Sequence, residues 1–472
     1  MSGYDAVIVG AGPNGLAAAI TLAREGRKVV IFEEADRAGG GLRSCESTLP
    51  GFVHDICSAV HPLAYASPFF RTLPLSKYGL EWVQPDIPMA HPLSNGNAVS
   101  LYRSIKETSA QVGQDKQAYE KILKPLADQW KALLDNVLGP LRVPLNPLLM
   151  TRFGWFGLQS AASFVKKYFT DEPARALLCG LAAHSMMDLN FKGSAAFGLI
   201  LGLLGHTAGW PFPRGGAEKL AEALIAYLKS MQVEIVTDHP IRAMNQMPPG
   251  RAVFFDITPR QLLELTGTNL PESYRAKLRN FRYGMGVCKV DWALSEPIPF
   301  TNENCRRAGT LHIGGFHEDI IQSEKDVWKN VDPDRPFVIL AQHTVADPSR
   351  APEGKHTGWA YCHVPPGSDS NRKEAIESQI ERFAPGFKDT ILGSNVTTAK
   401  GYSEYNPNYI GGDINGGVQN IKQLFLRPVA KWDPYQTGNP GLYLCSSSTP
   451  PGGGVHGMCG YNAAQSFLRK FK

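Results

Sequence analysis

The chain has 472 residues, of which 43% are hydrophobic and 19% charged, and its formal net charge at pH 7 is +5. This composition excludes a disordered, coiled-coil or collagen-like chain, because it offers ample apolar material for a core and no dominant residue type. A charge of +5 over this length is not the signature of a nucleic-acid-binding protein, and the length predicts two or three domains. The 47 glycines exceed the usual share of about 7%, so their positions need an explanation.

Cysteine spacing and the N-terminal residues bear on the compartment. The eight cysteines are dispersed and none forms a Cys-x-x-Cys pair, so we expect reduced thiols in a cytoplasmic protein and no metal site. Residues 1–5 run directly into an apolar strand, without the regions of a secretory signal. The uncharged stretch 193–209 falls slightly short of the length that spans a bilayer. It predicts a buried helix, and the alternative interpretation is a shallow membrane contact.

The first forty residues predict a strand, a helix and a second strand. Ala6–Val9 and Val29–Phe32 are continuous apolar runs, as expected for parallel strands covered on both faces. Between them lie a glycine-rich turn and an alanine-rich helix from about Leu16 to Arg24. The segment is therefore predicted to be one βαβ unit.

The remainder of the chain alternates between helical and β-like segments. Residues 105–204 are mostly helical in pattern, with one helix expected from Gln117 to Leu134. A helix and a strand follow within 215–237, and short β-like segments occur at 286–292, 337–341 and 357–364. Residues 441–445 predict a last strand, which is followed by a glycine-rich turn and a helix from about Gly457 to Phe471. We therefore expect one nucleotide-binding domain assembled from distant pieces of the chain.

The glycine-rich turn carries a dinucleotide-binding motif. Gly10, Gly12 and Gly15 form G-x-G-x-x-G between the first strand and helix, and Glu33 follows the second strand. Gly10 allows a tight turn, Gly12 lets the backbone approach a pyrophosphate, and Gly15 permits close packing of helix on sheet. The helix N-terminus then faces the phosphates, and the Glu33 carboxylate accepts a hydrogen bond from a ribose hydroxyl. An acid at this position favours FAD or NAD over NADP.

The next glycines distinguish FAD from NAD. Gly39-Gly-Gly-Leu-Arg43 and Gly51-Phe-Val-His-Asp55 together resemble the flavoprotein superfamily that includes amine oxidases and phytoene desaturases. In that superfamily the second strand continues through acid-x5-Gly-Gly into a loop against the flavin pyrophosphate, and an Arg usually follows the glycine pair. Here Gly41 stands at that place and Arg43 comes two residues later. The resemblance implies a non-covalently bound FAD and a phosphate-binding role for Arg43.

Later segments extend the resemblance over nearly the whole chain. Phe212–Gly216 is similar to the segment that returns to the FAD domain, which implies backbone contact with the adenine near Ile241. Thr449–His456 resembles the closing motif of phytoene desaturases and carotenoid isomerases, in which a helix N-terminus stabilises the reduced flavin. Ser447 stands where many relatives have an acid that binds the ribitol.

Two further segments, 358–365 and 406–417, are similar to one branch of the superfamily. That branch contains the pyridine nucleotide-disulfide oxidoreductase domain-containing protein 2 group and its bacterial relatives. The residues that we expect to contact the FAD are Gly10, Gly12, Pro13, Asn14, Gly15, Glu33, Glu34, Gly40, Gly41, Leu42, Arg43, Ile241, Ser447, Gly454, Val455 and His456.

Two histidines are candidate catalytic residues. His456 is expected beside the flavin, and His61 follows the third strand of the family pattern. Each is a candidate proton donor or polariser of flavin or substrate, and for each the alternative is a hydrogen-bonded structural histidine. Tyr461 or Trp359 is expected to supply an aromatic ring at the flavin face if the protein is an amine oxidase.

We therefore expect an α/β fold with a discontinuous, Rossmann-type FAD-binding domain (1–75, 205–265 and 400–472) built on a parallel sheet. The substrate domain would comprise a helical part, 76–204, and a β-rich part, 266–399. The predicted protein is an FAD-dependent oxidoreductase that resembles phytoene desaturases and moves hydride between flavin N5 and a small, apolar, lipid- or polyene-like substrate. The alternatives are a flavin amine oxidase, and an FAD-binding protein that acts mainly through partner proteins. We expect no nucleic-acid partner, while the electron acceptor, the reaction direction and the oligomeric state stay open.

Overall fold

The computed structural model describes residues 3–471, so that residues 1, 2 and 472 of the predicted FAD-binding domain lie outside the described range. The strands are β1 (Tyr4–Val9), β2 (Val29–Phe32), β3 (Ser44–Cys45), β4 (His54–Asp55), β5 (Trp82–Val83), β6 (Ile87–Pro92), β7 (Ala98–Leu101), β8 (Phe212–Pro213), β9 (Glu234–Val236), β10 (Gly250–Phe255), β11 (Gly286–Leu294), β12 (Ala308–Ile313), β13 (Val338–Ala341), β14 (His356–Val364), β15 (Ile391–Thr397) and β16 (Leu442–Leu444). The α-helices are α1 (Pro13–Arg24), α2 (Pro62–Ala66), α3 (Ile105–Ser109), α4 (Lys116–Ala127), α5 (Trp130–Val137), α6 (Pro147–Gly157), α7 (Ala161–Tyr168), α8 (Glu172–Ala183), α9 (Ser194–Thr207), α10 (Glu218–Ser230), α11 (Pro259–Thr266), α12 (Glu272–Arg279), α13 (Glu303–Arg307), α14 (His317–Trp328), α15 (Lys373–Glu381), α16 (Ala399–Tyr405), α17 (Ile421–Leu426) and α18 (Met458–Lys470).

The first sheet is parallel throughout, with strand order β16-β10-β1-β2-β9. Its strands are apolar on both faces because helices cover both sides. Ala6 and Ile8 of β1 belong to the core that includes α1, α10 and α18, whereas Val7 and Val9 belong to a cluster with residues of α11 and α12. The expected α/β fold with a parallel Rossmann-type sheet is confirmed.

Strand β10 was not anticipated from the sequence, although it lies at the centre of this sheet. It pairs with β1 on one side and with β16 on the other, with Phe255 opposite both Val9 and Leu444. The expected strands at residues 6–9, 29–32 and 441–445 are present, with small changes at their ends. The sheet therefore unites the beginning, the middle and the end of the chain.

The second sheet is mixed, with strand order β15-β11-β14-β13-β12-β6-β7. Its neighbours are antiparallel except for β12 and β6, which are parallel. Strands β6 and β7 come from the segment 76–204, which was expected to be the helical part of the substrate domain. That segment therefore contributes two strands to the β-rich layer, and the proposed domain limits stay a prediction.

Two helical predictions have different outcomes. The helix expected from Gln117 to Leu134 is two helices, since α4 ends at Ala127 and α5 begins at Trp130; Pro125, inside α4, cannot donate a helical hydrogen bond. The stretch 193–209 forms α9, whose leucines are largely buried. The buried-helix interpretation is thus correct, and this stretch is covered by protein. Within residues 3–471, no helix combines the length and apolarity needed to cross a membrane.

Candidate cofactor and substrate site

The glycine-rich turn after β1 is held by backbone contacts that only glycine permits. Gly10 has a φ of +98°, in the region that favours glycine. A Cβ on Gly15 would lie 2.1 Å from the carbonyl oxygen of Gly10, so any side chain there would push α1 away from β1. Gly12 caps α1 without a side-chain hydrogen bond. The turn therefore presents the N-terminus of α1 to the space beyond the strand ends.

Glu33 is fixed at the end of β2 by three partners. Its carboxylate accepts the N–H of Ala11 at 2.8 Å and that of Ala35 at 3.1 Å, and it pairs with the Arg43 guanidinium at 3.1 Å. Arg43 also donates to the hydroxyl of Tyr405 at 3.3 Å. The structure thus directs Arg43 toward Glu33, and the phosphate-binding role proposed for it stays a prediction.

The loop Gly39–Gly41 lies directly on the glycine-rich turn. The Gly39 N–H donates to the Ala11 carbonyl at 2.9 Å, and a Cβ on Gly40 would lie 3.0 Å from the Cα of Gly12. A Cβ on Gly41 would lie 2.7 Å from the hydroxyl of Tyr409. The close approach of these backbones explains why glycines cluster here.

A single cavity of about 1510 Å³ lies against these elements. Of the residues predicted to contact FAD, the following line it: Gly10, Gly12, Pro13, Asn14, Glu33, Glu34, Gly40, Gly41, Arg43, Ile241, Ser447, Gly454, Val455 and His456. Gly15 and Leu42 do not line the cavity, because Gly15 is packed against Gly10 and Leu42 is fully buried in the core. Buried polar atoms without a hydrogen-bond partner occur in the wall at Asn14 Oδ1 and Thr258 Oγ1. A polar, elongated cofactor fits this part of the wall.

We call the wall formed by residues 9–43, 239–265, 404–409 and 446–456 the nucleotide wall, and that formed by residues 136–158, 184–210 and 310–361 the apolar wall. The carboxylates that line the cavity (Glu33, Glu34, Asp256, Glu264 and Glu404) all belong to the nucleotide wall. The apolar wall consists largely of aliphatic and aromatic side chains, and Arg142 is its one charged residue among those that the structure describes. The cavity therefore joins a polar cofactor-sized region to an apolar one.

The two aromatic candidates, Trp359 and Tyr461, differ in their position relative to the cavity. Trp359 lines the apolar wall, where its indole N–H donates to the carbonyl of Asp55 at 2.9 Å. Tyr461 does not line the cavity, and its ring stacks on that of Phe69 at a centroid distance of 5.0 Å. The suggestion that Tyr461 faces the flavin is thus not supported by its position, because helical periodicity alone did not reveal which face of α18 is covered.

Both candidate histidines line the cavity, and both are buried. Burial lowers the pKa of His456 to about 4, against a smaller opposing effect of the Gly452 and Gly453 carbonyls. Burial likewise lowers the pKa of His61 to about 4, with Asp55 opposing it. The imidazoles are therefore neutral at pH 7, which disfavours imidazolium as the proton donor and leaves hydrogen bonding as their chemistry.

Hydrogen bonds define the ring orientation of each histidine. Nδ1 of His456 accepts the N–H of Met458 at 3.0 Å, so its proton resides on Nε2, which has no partner. Nε2 of His61 contacts the Ser58 hydroxyl at 3.0 Å, and its Nδ1 has no partner. Each ring keeps one nitrogen free for a further hydrogen bond, and the catalytic assignments stay predictions.

Asp55, the acid of the Gly51–Asp55 segment, is a buried structural anchor. It pairs with Arg350 at 3.0 Å and accepts hydrogen bonds from the Ser44 hydroxyl and the Ala217 N–H, each at 2.7 Å. Burial alone would raise the pKa of Asp55, but Arg350, His343 and the Ala217 N–H outweigh burial and hold it at about 2. This carboxylate thus ties three distant chain segments together behind the cavity.

One residue of the nucleotide wall was missed in the sequence. Asp256 follows β10, and its Oδ2 accepts the Gly15 N–H at 2.8 Å. The sequence feature that could have revealed Asp256 is the apolar run Ala252–Phe255, which is followed by this acid. The same pattern occurs in β2 and Glu33. The run is short, and only its pairing with β1 brings Asp256 to the glycine-rich turn.

Comparisons with known proteins agree with this geometry. The family described as NAD(P)-binding Rossmann-like domain matches residues 8–73. The pyridine nucleotide-disulfide oxidoreductase domain-containing protein 2 of Rattus norvegicus is 26% identical over 99% of this chain and 94% of its own length. The 4,4'-diapolycopen-4-al dehydrogenase of Metabacillus indicus is 23% identical over 95% of this chain and 93% of its own length. The structure of cyclohexylamine oxidase from Brevibacterium oxydans IH-35A superposes with a TM-score of 0.62 at 16% identity, covering 100% of both chains, and shows the shared fold.

Fold, cavity and relatives define an FAD-dependent oxidoreductase with a Rossmann-type dinucleotide-binding domain. Within that class, the chain is similar over nearly its whole length to relatives that include a carotenoid-type dehydrogenase, and it shares its fold with an amine oxidase. Its full-length relatives include the rat and Metabacillus proteins named above.

Proposed function

We propose that the protein binds FAD without a covalent bond and moves hydride between the flavin and a C–H bond of an apolar small molecule. The observation that carries the proposal is the single cavity, in which the nucleotide wall is continuous with an apolar wall that has no carboxylate among the described residues. FAD, when bound, supplies the two-electron redox chemistry, while the protein supplies position and electrostatics.

The chain's own residues have separable tasks in this proposal. The N-terminus of α1 and the Gly39–Gly41 loop would hold the pyrophosphate, and Glu33 would accept a hydrogen bond from the ribose. The neutral His456 and His61 both line the cavity, and each has one buried ring nitrogen without a hydrogen-bond partner. The apolar wall would exclude water and orient the substrate by shape.

The lining argues against an amine as substrate. An ammonium group in a buried site needs a counter-charge or hydrogen-bond acceptors, and the one charged side chain of the apolar wall is the cation Arg142. The likeness to cyclohexylamine oxidase concerns the fold alone. The Metabacillus relative, whose name gives 4,4'-diapolycopen-4-al as its substrate, supports an apolar substrate.

We also propose that this substrate reaches the cavity from a membrane surface. Leu141, Val143, Leu145, Leu148, Trp155 and Leu158 are between 51% and 89% exposed, and we call them the apolar rim. Three of them, Leu141, Trp155 and Leu158, also line the cavity. An exposed apolar patch of this kind marks an interaction surface.

The charge around the apolar rim favours an anionic bilayer as the occupant. Residues 136–170 contain four basic residues (Arg142, Arg152, Lys166 and Lys167) and no acidic residue. Basic residues beside exposed apolar side chains are attracted to anionic lipid headgroups.

Leu148→Asp should reduce co-flotation with phosphatidylserine-containing vesicles, whereas Val331→Asp, at an exposed site elsewhere, should not. If both variants bind the vesicles equally, or if the unaltered protein does not bind them, the apolar rim does not contact a membrane. If the unaltered protein dimerises with increasing concentration and Leu148→Asp does not, the apolar rim instead contacts a second copy of the chain.

Reconstitution with FAD followed by anaerobic reduction tests the redox function. The holoprotein should show the flavin band at roughly 450 nm, and denaturation should release the FAD. Polyenes or other apolar substrates should bleach that band, and primary amines should not. Bleaching by amines alone would instead assign amine oxidation, and a holoprotein that no candidate bleaches would favour the alternative that acts through partner proteins. Failure to bind FAD would refute the cofactor assignment.

A further inference from the structure

Asp256 stands where the sequence motif predicts the cofactor's pyrophosphate. Its Oδ2 accepts the Gly15 N–H at 2.8 Å, and a Cβ on Gly12 would lie 2.7 Å from the same oxygen. The carboxyl is therefore fixed at the N-terminus of α1, beside the second and third glycines of the motif. The residue is half-buried because it faces the cavity, so a bound dinucleotide would cover it.

This position places opposing influences on the charge of Asp256. The Gly15 N–H and the N-terminus of α1 favour the carboxylate. Burial, and secondarily Glu33 at the end of β2, favour the neutral acid, and burial raises the pKa of Asp256 to about 7. A negatively charged pyrophosphate beside it would raise that pKa further, because a like charge disfavours ionisation.

We propose that Asp256 takes part in cofactor binding as a neutral carboxylic acid, so that FAD binding takes up one proton and weakens as the pH rises. One oxygen keeps the hydrogen bond from Gly15, and the protonated oxygen donates to a phosphate oxygen. No covalent bond changes, and the proton comes from solvent. This inference rests on the proposed function, since it assumes that FAD is the dinucleotide.

The direction in which FAD affinity changes with pH is set by the linkage between protonation of Asp256 and FAD binding. Below the pKa of the free protein, about 7, Asp256 is already protonated and FAD affinity is independent of pH. Between that pKa and the higher pKa of the complex, a proton must be taken up, so the affinity falls by about tenfold per pH unit. The proton uptake per FAD should therefore rise from near zero at pH 6 toward one at pH 8 to 9.

Other titratable groups surround Asp256 and must be separated from it. Glu33 is paired with Arg43 at 3.1 Å, and burial raises the pKa values of Cys445 on the side of β16 and of Cys459 in α18. His239 also lines the nucleotide wall, and its backbone N–H donates to the backbone carbonyl of Glu33 at 2.9 Å. His239 is the histidine of the nucleotide wall that lies beside Glu33, so it supplies the control variant.

Calorimetry of FAD binding to apoprotein between pH 6 and 9 tests the proposal. Each pH is measured in two buffers of different ionisation enthalpy, so that the proton uptake is read directly. The unaltered protein and His239→Asn should take up a proton and lose affinity above pH 7. Asp256→Asn introduces a neutral isostere, which can still accept a hydrogen bond from the Gly15 N–H and donate one to a phosphate oxygen. This variant should take up no proton when FAD binds, and at pH 8.5 it should bind FAD more tightly than the unaltered protein.

Three results would overturn the proposal. These are a pH-independent affinity of the unaltered protein, loss of the proton uptake in His239→Asn instead of Asp256→Asn, or weaker FAD binding by Asp256→Asn at pH 8.5. Circular dichroism confirms that each variant is folded. The absence of FAD binding at every pH would refute the proposed function itself, which distinguishes the two failures.

Discussion

The packing of α1 on α18 gives a sharp prediction for Gly460. A Cβ at this position would lie 1.8 Å from the carbonyl oxygen of Asn14 and 2.9 Å from the Ala18 nitrogen. Both atoms belong to the backbone of α1, one in its first turn and the other in its second. Because real Cβ atoms do not approach closer than 3.0 Å, Gly460→Ala must move the two helices apart by more than 1 Å.

Two opposing contributions determine how much Gly460→Ala changes the free energy of unfolding. Overpacking costs about 1–3 kcal/mol, and the upper end applies here because backbone cannot rotate away. Alanine returns at most about 1 kcal/mol through its greater helix propensity. The net loss of unfolding free energy is therefore about 2 kcal/mol, and FAD affinity should fall as well, since Asn14 lies in the first turn of α1.

Gly202→Ala is the matched control. Gly202 is also a buried helical glycine, in α9, but its nearest neighbour would be Leu181 Cδ1 at an ordinary 3.4 Å. Urea denaturation of both apoproteins and FAD titration of both variants measure the effects. Gly202→Ala should equal or slightly exceed the unaltered protein in stability. Normal stability and normal FAD affinity of Gly460→Ala would refute the claim that this helix contact is closed to any side chain.

The remaining predictions concern titration and a buried ion pair. The ring NMR signals of His61 and His456 should not titrate between pH 6 and 8, because burial lowers both pKa values to about 4; a midpoint near 6.5 would contradict their burial. Arg350→Leu should cost about 3–5 kcal/mol at pH 7, because it leaves Asp55 charged and buried without its partner. Since the folded-state pKa of Asp55 is about 2 and its ordinary value 3.8, this stabilisation should fade as the pH falls from about 4 to 2. Arg251→Leu, at an exposed pair, should change stability little when both are compared by denaturation.

The sequence predicted those parts of the fold that local pattern determines. Residues 6–32 contain two uniformly apolar runs, a glycine motif and an alanine-rich helix within one short segment, and the structure has the same βαβ unit. The final strand and helix were predicted for the same reason. Short, uniformly apolar strands followed by glycine need no distant information to be recognised.

The features that were missed depend on contacts between distant residues. Strand β10 is recognisable only when β1 and β16 flank it, and Asp256 meets Gly15 across 241 positions of sequence. The strands β6 and β7 were overlooked because β6 joins the sheet through β12, which begins at residue 308. Similarly, the position of Tyr461 depends on which face of α18 packs on α1, and periodicity does not specify this.

The strand order of the parallel sheet has a consequence for biosynthesis. Because β16 completes the sheet and α18 packs against α1, the N-terminal βαβ unit emerges from the ribosome long before its packing partners. The apolar faces of this unit stay partly exposed until residues 442–470 have been translated. Contacts of such long sequence separation fold slowly, so the nascent chain exposes an apolar surface that chaperones would recognise. Insertion of the proposed FAD would accordingly follow translation, and cellular flavin supply would influence how much of the finished chain reaches its stable state.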